Sequence, residues 1–230
     1  MFIHVVFDWL SYLASFLVLR FYFKDRKERI YGNEKWIYYS VVIIGFVVGA
    51  ILFSTINNYL TLGKLELGKS VIGAIFGAII AVEVFKYINK IEGSTGAYFA
   101  PSLAIGIAIG RLGCFFSGLK DFTYGVKTTL PWGVDFGDGV LRHPVQLYES
   151  FTMALFFIFS LWLYKKDRAK FECCIFYYFI LVYATQRFFW EMLKPYAHIG
   201  GLTIFAWLSI ALIIYATILI KRSQNGTQFK

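Results

Sequence analysis

Apolar side chains gather along this chain into seven runs separated by short polar or basic stretches. The runs are Phe2 to Leu19, Trp36 to Phe53, Ser70 to Ile88, Ala97 to Phe116, Val145 to Tyr164, Cys173 to Trp190 and Leu202 to Ile220. A helix needs roughly 17 to 25 residues to cross about 30 Å of hydrocarbon, so each run predicts a spanning helix. The second and seventh carry no charge, whereas the third to sixth do. The stretch SGLKDFTYGVKTTLPWGVDFGDG, between the fourth and fifth runs, is rich in Gly, Asp and Thr and contains a Leu-Pro-Trp-Gly and an Asp-Gly turn signal. It is too polar to cross the bilayer and is expected to form turns with one or two short strands or helices. The pattern therefore predicts an all-α, polytopic integral membrane protein with seven transmembrane helices. Residues 1–230 form a single transmembrane domain in this reading, with residues 117–144 as a small external cap between the fourth and fifth helices.

Composition sharpens the class. The chain is 58% hydrophobic and only 16% charged, against about 25% charged for a typical soluble domain. The net charge of +9 does not indicate nucleic acid, because the basic residues sit in short loops where topology and anionic head groups account for them. Fifteen Lys and Arg lie in the loop from Arg20 to Lys35, at Lys86 and Lys90, in KKDRAK and in the tail from Lys221; eight lie on the other side. The more basic side is cytoplasmic, which predicts an external N-terminus, a cytoplasmic C-terminus and an external segment from Gly110 to Glu149. The N-terminal residues lack the basic start and small-residue cleavage site of a secretory leader and are expected to form the first spanning helix. Cys114, Cys173 and Cys174 have no metal-ligand spacing, so neither a metal nor a cofactor is expected.

Charge inside the apolar runs is where the chemistry concentrates. An ionisable side chain in hydrocarbon costs from about 2.5 kcal/mol upwards and usually faces the bundle interior, paired, along a substrate pathway. At about 1.5 Å of rise per residue, Arg111 stands roughly 21 Å from the inner start of the fourth helix, Arg187 at a similar height on the sixth, and Glu149 one turn into the fifth. All three fall in the outer half of the membrane. Arg111 is open to two readings, a guanidinium snorkelling to the interface or a clamp on phosphate oxygens; a second arginine at matching depth points to the clamp. Glu149 is either the counter-ion of an arginine or a direct participant. Tyr183, Arg187 and Glu191 follow at intervals of four and share one helical face. His143 is a loop histidine with an unperturbed pKa suited to proton abstraction near neutrality. Cys114 reads as a small buried residue or as a nucleophile activated by the arginines. Asp8 and His4 lie near the outer end of the first helix, where Asp8 can reach the same polar region. GAIFG (Gly73, Gly77) and GIAIG (Gly106, Gly110) are small-xxx-small patterns expected to serve helix packing.

At these residues the chain resembles the bacterial prolipoprotein diacylglyceryl transferases. GRLGCFFSG is similar to that family's Gly-Arg-x-Gly-Asn-Phe stretch, RHPVQLYE to its His-Pro-Ser-Gln-Leu-Tyr-Glu motif, and YATQRFFWEMLKP to its Tyr-x3-Arg-x3-Glu-x2-Arg-x-Pro segment. The resemblance implies transfer of a diacylglyceryl group from phosphatidylglycerol to the thiol of a lipobox cysteine in a prolipoprotein signal peptide, in a bacterial plasma membrane. It places catalytic roles on Arg111, Arg187, Glu149 and Tyr183, and His143 is the nearest replacement for the family's histidine as a base. It places substrate contacts on Arg111, Arg187, Cys114, Glu191, Lys194, Gln146 and Tyr148. Two departures stand out: the family's histidine in the third helix corresponds to Ile72, and the asparagine of its arginine motif to Cys114. The competing expectations are a membrane lipid-modifying enzyme with another acceptor, and a non-enzymatic anionic-lipid binding protein or transporter.

Overall fold

The computed structural model describes residues 2–24, 30, 32–121, 123–194 and 196–224. Parts of the basic loop from Arg20 to Lys35, and the tail beyond residue 224, lie outside the described residues. Seven long helices account for the apolar runs: α1 (Phe2–Leu17), α2 (Asn33–Leu62), α3 (Val71–Ile88), α4 (Phe99–Ser117), α5 (Val145–Lys166), α6 (Arg168–Glu191) and α7 (Ile204–Gln224). Six of them, all but α6, are long and apolar enough to cross a membrane. In α6 the tyrosines, Gln186 and Arg187 dilute the apolar content. Two boundaries differ most from the hydropathy pattern. Helix α2 runs nine residues past Phe53, through polar FSTINNYLTL, until Gly63 in the left-handed region closes it. Helix α6 starts five residues before Cys173, because the Asp167 carboxylate accepts from the Lys170 amide and caps a charged first turn.

The chain divides into two compact units, residues 1–26 with 96–195 and residues 27–95 with 196–230. In the second unit α2 lies along α3, and α7 touches both. The α2–α3 contact is backbone to backbone: a Cβ on Gly49 would strike the Gly73 carbonyl, and one on Gly77 the Gly45 carbonyl. GAIFG therefore acts as a packing stripe, as its spacing predicts. Ile72, in α3, is fully buried. The Tyr215 hydroxyl donates to Glu83, which pairs with Lys86 one turn on, so the charges of α3 are satisfied within this unit.

In the first unit α4 packs between α1 and α5, and α5 packs on α6. Small residues again set the approach: a Cβ on Gly106 would meet Ser15 Oγ, and one on Gly113 would come to 2.6 Å from Phe7 Cβ. The Ser15 hydroxyl donates to the Ser102 carbonyl at 2.9 Å, tying α1 to α4. Between α4 and α5 the chain makes a 3₁₀ turn (Gly118–Asp121) and a minimal hairpin, β1 (Val134–Asp135) with β2 (Leu141–Arg142), antiparallel. Asp135 accepts from the amides of Gly137, Asp138 and Gly139, shaping the hairpin turn. The Arg142 guanidinium donates to Asp138 at 2.6 Å and holds its carboxyl below the usual range. Backbone bonds from the Gly125 amide to the His143 carbonyl, just before α5, and from the Val126 amide to the Leu193 carbonyl, just after α6, hold the loop.

Candidate functional site

Three helices and the turn after α6 bring five ionisable side chains together inside the first unit. Glu149, in the second turn of α5, is 1% exposed. The Ser150 hydroxyl donates to the Ala108 carbonyl at 2.7 Å, which fixes α5 against α4 next to Glu149 and one turn before Arg111. One carboxylate oxygen of Glu149 then meets Arg111 Nε. The other accepts from Arg187 Nη1 at 2.7 Å and from Lys194 Nζ at 3.1 Å. Arg187 Nη2 also pairs with Glu191 Oε2 at 3.0 Å, one turn further along α6. Lys194 reaches the cluster because the chain turns tightly after α6, its amide donating to the Glu191 carbonyl.

Among the described residues the cluster brings three basic side chains and two carboxyl side chains together in a nearly solvent-free position. Charges removed from water repay their desolvation only when paired and hydrogen-bonded. A guanidinium pair presents the donor geometry that suits phosphate oxygens. Gln146 adds a second demand. It lies three residues before Glu149 on the same face of α5, is 1% exposed, and neither its amide nitrogen nor its oxygen has a hydrogen-bond partner among the described residues. An unsatisfied buried amide costs about 1–3 kcal/mol, which a polar ligand would recover.

Of the residues expected from sequence, Arg111, Glu149, Arg187, Glu191 and Lys194 converge directly. Tyr183 is buried one turn before Arg187, beside Arg111 and Glu149, and stacks on Phe179. Cys114 lies one turn beyond Arg111, its Sγ 4.0 Å from Arg111 Nη1. His143 and Tyr148 belong to a separate aromatic group: the Tyr148 hydroxyl accepts from Trp132 Nε1 at 2.9 Å, lies 3.4 Å from His143 Nδ1, and its ring packs on Trp190. The structure thus places His143 at the junction of the α4–α5 loop with α5, held by Tyr148.

One residue of this neighbourhood was not among the site residues expected from sequence. His4 Nε2 lies 3.7 Å from Cys114 Sγ, and His4 Nδ1 lies 3.0 Å from Asp8 Oδ2. The spacing of four between His4 and Asp8 was visible, but which helix their face meets was not.

A polytopic membrane protein that buries a cluster of arginines, a lysine and glutamates between its helices defines the class. Comparison with known proteins narrows this class. The family model for prolipoprotein diacylglyceryl transferase matches residues 6–222. A phosphatidylglycerol–prolipoprotein diacylglyceryl transferase of Bordetella bronchiseptica is 33% identical over 199 residues, covering 79% of this chain and 74% of that protein. One from Oleidesulfovibrio alaskensis is 36% identical over 188 residues, covering 76% and 68%. One from Finegoldia magna is 35% identical over 159 residues, and there the match spans 66% of this chain and 60% of that relative. The chain belongs to the prolipoprotein diacylglyceryl transferase family. No solved structure matches it.

Proposed function

We propose that this protein transfers a diacylglyceryl group from phosphatidylglycerol to the cysteine thiol of a prolipoprotein signal peptide, releasing glycerol phosphate. The observation that carries the reading is the buried cluster in which Glu149 gathers Arg111, Arg187 and Lys194 from separate parts of the chain, with Glu191 on Arg187. Phosphatidylglycerol is an anion whose phosphate becomes the leaving group when sulfur attacks the adjacent glyceryl carbon. Donors aimed at that phosphate stabilise the charge that develops as the carbon–oxygen bond breaks. Glu149 is the residue that orients them, since it holds Arg111 from α4 and Arg187 from α6 at once. Gln146, Tyr183 and Tyr148 line the approach to this cluster in the same reading, and Cys114 flanks Arg111. The names of the relatives, which are phosphatidylglycerol–prolipoprotein diacylglyceryl transferases, supply donor and acceptor.

In this reading α6 is the seventh span. Its 24 residues extend about 36 Å at helical rise, and Arg187 and Glu191 are paired within the protein rather than exposed to lipid. The basic-residue bias puts the N-terminus and the α4–α5 loop outside and the C-terminus inside a bacterial plasma membrane.

The test is complementation of a bacterial strain depleted of its own transferase, with the mass of the accumulated lipoprotein as readout. A gain corresponding to a thioether-linked diacylglyceryl group is the expected result. Growth without that mass gain, or lipid incorporation into a different acceptor, would reject the assignment. Arg111→Ala should abolish both.

A further inference from the structure

We infer that His4, oriented by Asp8, is the base that takes the proton from the attacking thiol. This rests on the transferase reading above and adds a residue to it. An unperturbed thiol has a pKa near 8.5 and is only a few per cent thiolate at pH 7, while the thiolate is the nucleophile. A base at the point of attack must therefore lie within reach of both the sulfur and the arginine cluster. His4 is the histidine that meets this condition among the described residues. Its Nδ1 faces the Asp8 carboxylate at 3.0 Å. A carboxylate only accepts, so in the neutral ring Nδ1 carries the hydrogen and Nε2 presents its lone pair. That lone pair points at a thiol: Cys114 Sγ stands 3.7 Å away, and the same sulfur lies 4.0 Å from Arg111 Nη1. Arg111 in turn is held by Glu149. The Cys114 thiol thus marks a position, between imidazole and guanidinium, where a sulfur fits.

The position of His4 is set by packing. Gly113 lets α1 close on α4 so tightly that a Cβ there would lie 2.6 Å from Phe7 Cβ and 3.7 Å from the His4 carbonyl. The first turn of α1 is thereby seated one turn past Arg111. Asp8 on its own helix and Cys114 on α4 face His4, and Arg111 lies on the far side of the Cys114 sulfur.

The step balances without a further reactant. The acceptor thiol enters the position that Cys114 marks, the Cys114 side chain turning aside, and gives its proton to His4 Nε2. Sulfur bonds to the glyceryl carbon, and the carbon–oxygen bond to phosphate breaks with its electron pair on oxygen. The glycerol phosphate leaves against Arg111 and Arg187, and the imidazolium returns the proton to that phosphate. Asp8 is a positioning residue, acting through the ring.

The experiment uses the full-length protein with phosphatidylglycerol and a lipobox peptide. His4→Ala should lower turnover at pH 7 by at least tenfold, the low end of general-base catalysis. The loss should shrink toward pH 9, as the thiol ionises unaided, and should be partly rescued by added imidazole. Asp8→Asn should show a smaller loss with the same recovery at high pH. A structural role for His4 would give a loss that neither pH nor imidazole relieves, and that result overturns the proposal. So does the rescued loss appearing in His143→Ala while His4→Ala stays at wild-type turnover. Alkylation of Cys114 by iodoacetamide, resolved by peptide mass, supplies a readout that needs no transfer. If His4 accepts a thiol proton, His4→Ala slows that alkylation severalfold at pH 7 but not at pH 9; an unchanged rate counts against it. Transferase failure in the wild-type protein, with the alkylation effect intact, would instead sink the transferase reading while leaving His4 as a thiol base.

Discussion

Glu149 pairs with Arg111, Arg187 and Lys194, and its removal has a calculable direction. Breaking a buried ionic network by deleting one partner typically costs about 3–5 kcal/mol, because the remaining charges stay buried and unpaired. Glu149→Gln should therefore destabilise the protein in detergent by an amount of that order, measured as a drop in thermal unfolding midpoint, and added glycerol phosphate should restore part of it. Restoration separates an anion site from a purely structural network, since an anion can compensate three cations only where it can reach them. Arg111→Lys tests geometry at the same site. A lysine keeps the charge but loses the planar fork, so transfer should fall at least tenfold even though Glu149 retains a cationic partner. Wild-type turnover in Arg111→Lys would mean that charge alone suffices. These residues were legible in the sequence because an ion among apolar residues announces itself. The contact of His4 with Cys114 was not, because it joins positions 110 residues apart and depends on how α1 is rotated against α4. Lys194 entered only through the resemblance, since nothing local shows that the chain folds back after α6 to bury an ammonium.

The helices differ in how much of them hydropathy reveals. Their cores were readable, since seven apolar runs became seven helices. Their ends were set by groups that an apolar count ignores, such as the Asp167 cap of α6 and the left-handed Gly63 that stops α2. The glycine patterns were readable as packing stripes, but not their partners: GAIFG meets Gly45 and Gly49 of α2, whereas GIAIG meets the serine face of α1. The structure ranks these glycines. A methyl on Gly49 would collide with the Gly73 carbonyl, a backbone atom that cannot turn away, while a methyl on Gly110 would find only Ser11 Oγ, at 3.9 Å. Gly49→Ala should thus force α2 and α3 apart and lower the unfolding midpoint, with a cost of about 1–3 kcal/mol as for other overpacked sites. Gly110→Ala should be neutral or stabilising by up to about 1 kcal/mol through helix propensity. Equal effects of the two substitutions would contradict the α2–α3 contact.

At the scale of the whole molecule, the distribution of charge predicts how the chain sits in its membrane. Fifteen basic residues lie on the side that carries KKDRAK and eight on the side that carries the α4–α5 loop, and loops rich in Lys and Arg stay cytoplasmic. Several of the eight have other work: Arg111, Arg187 and Lys194 are engaged in the buried cluster and Arg142 in the loop with Asp138. The count predicts an orientation with the α4–α5 loop outside. A cysteine placed at Lys127 should accordingly react with a membrane-impermeant maleimide on intact cells, and one at Lys166 only after the membrane is opened. The converse labelling would invert the topology and put the cluster in the inner half of the bilayer. If α6 did not span, the positions at its two ends, Lys170 and Met192, would label from the same side; with seven spans they label from opposite sides. Because α6 carries Arg187 and Glu191, this last comparison also tests whether the paired charges are what let a comparatively polar helix cross, and Glu149→Gln combined with it should make the crossing of α6 less complete.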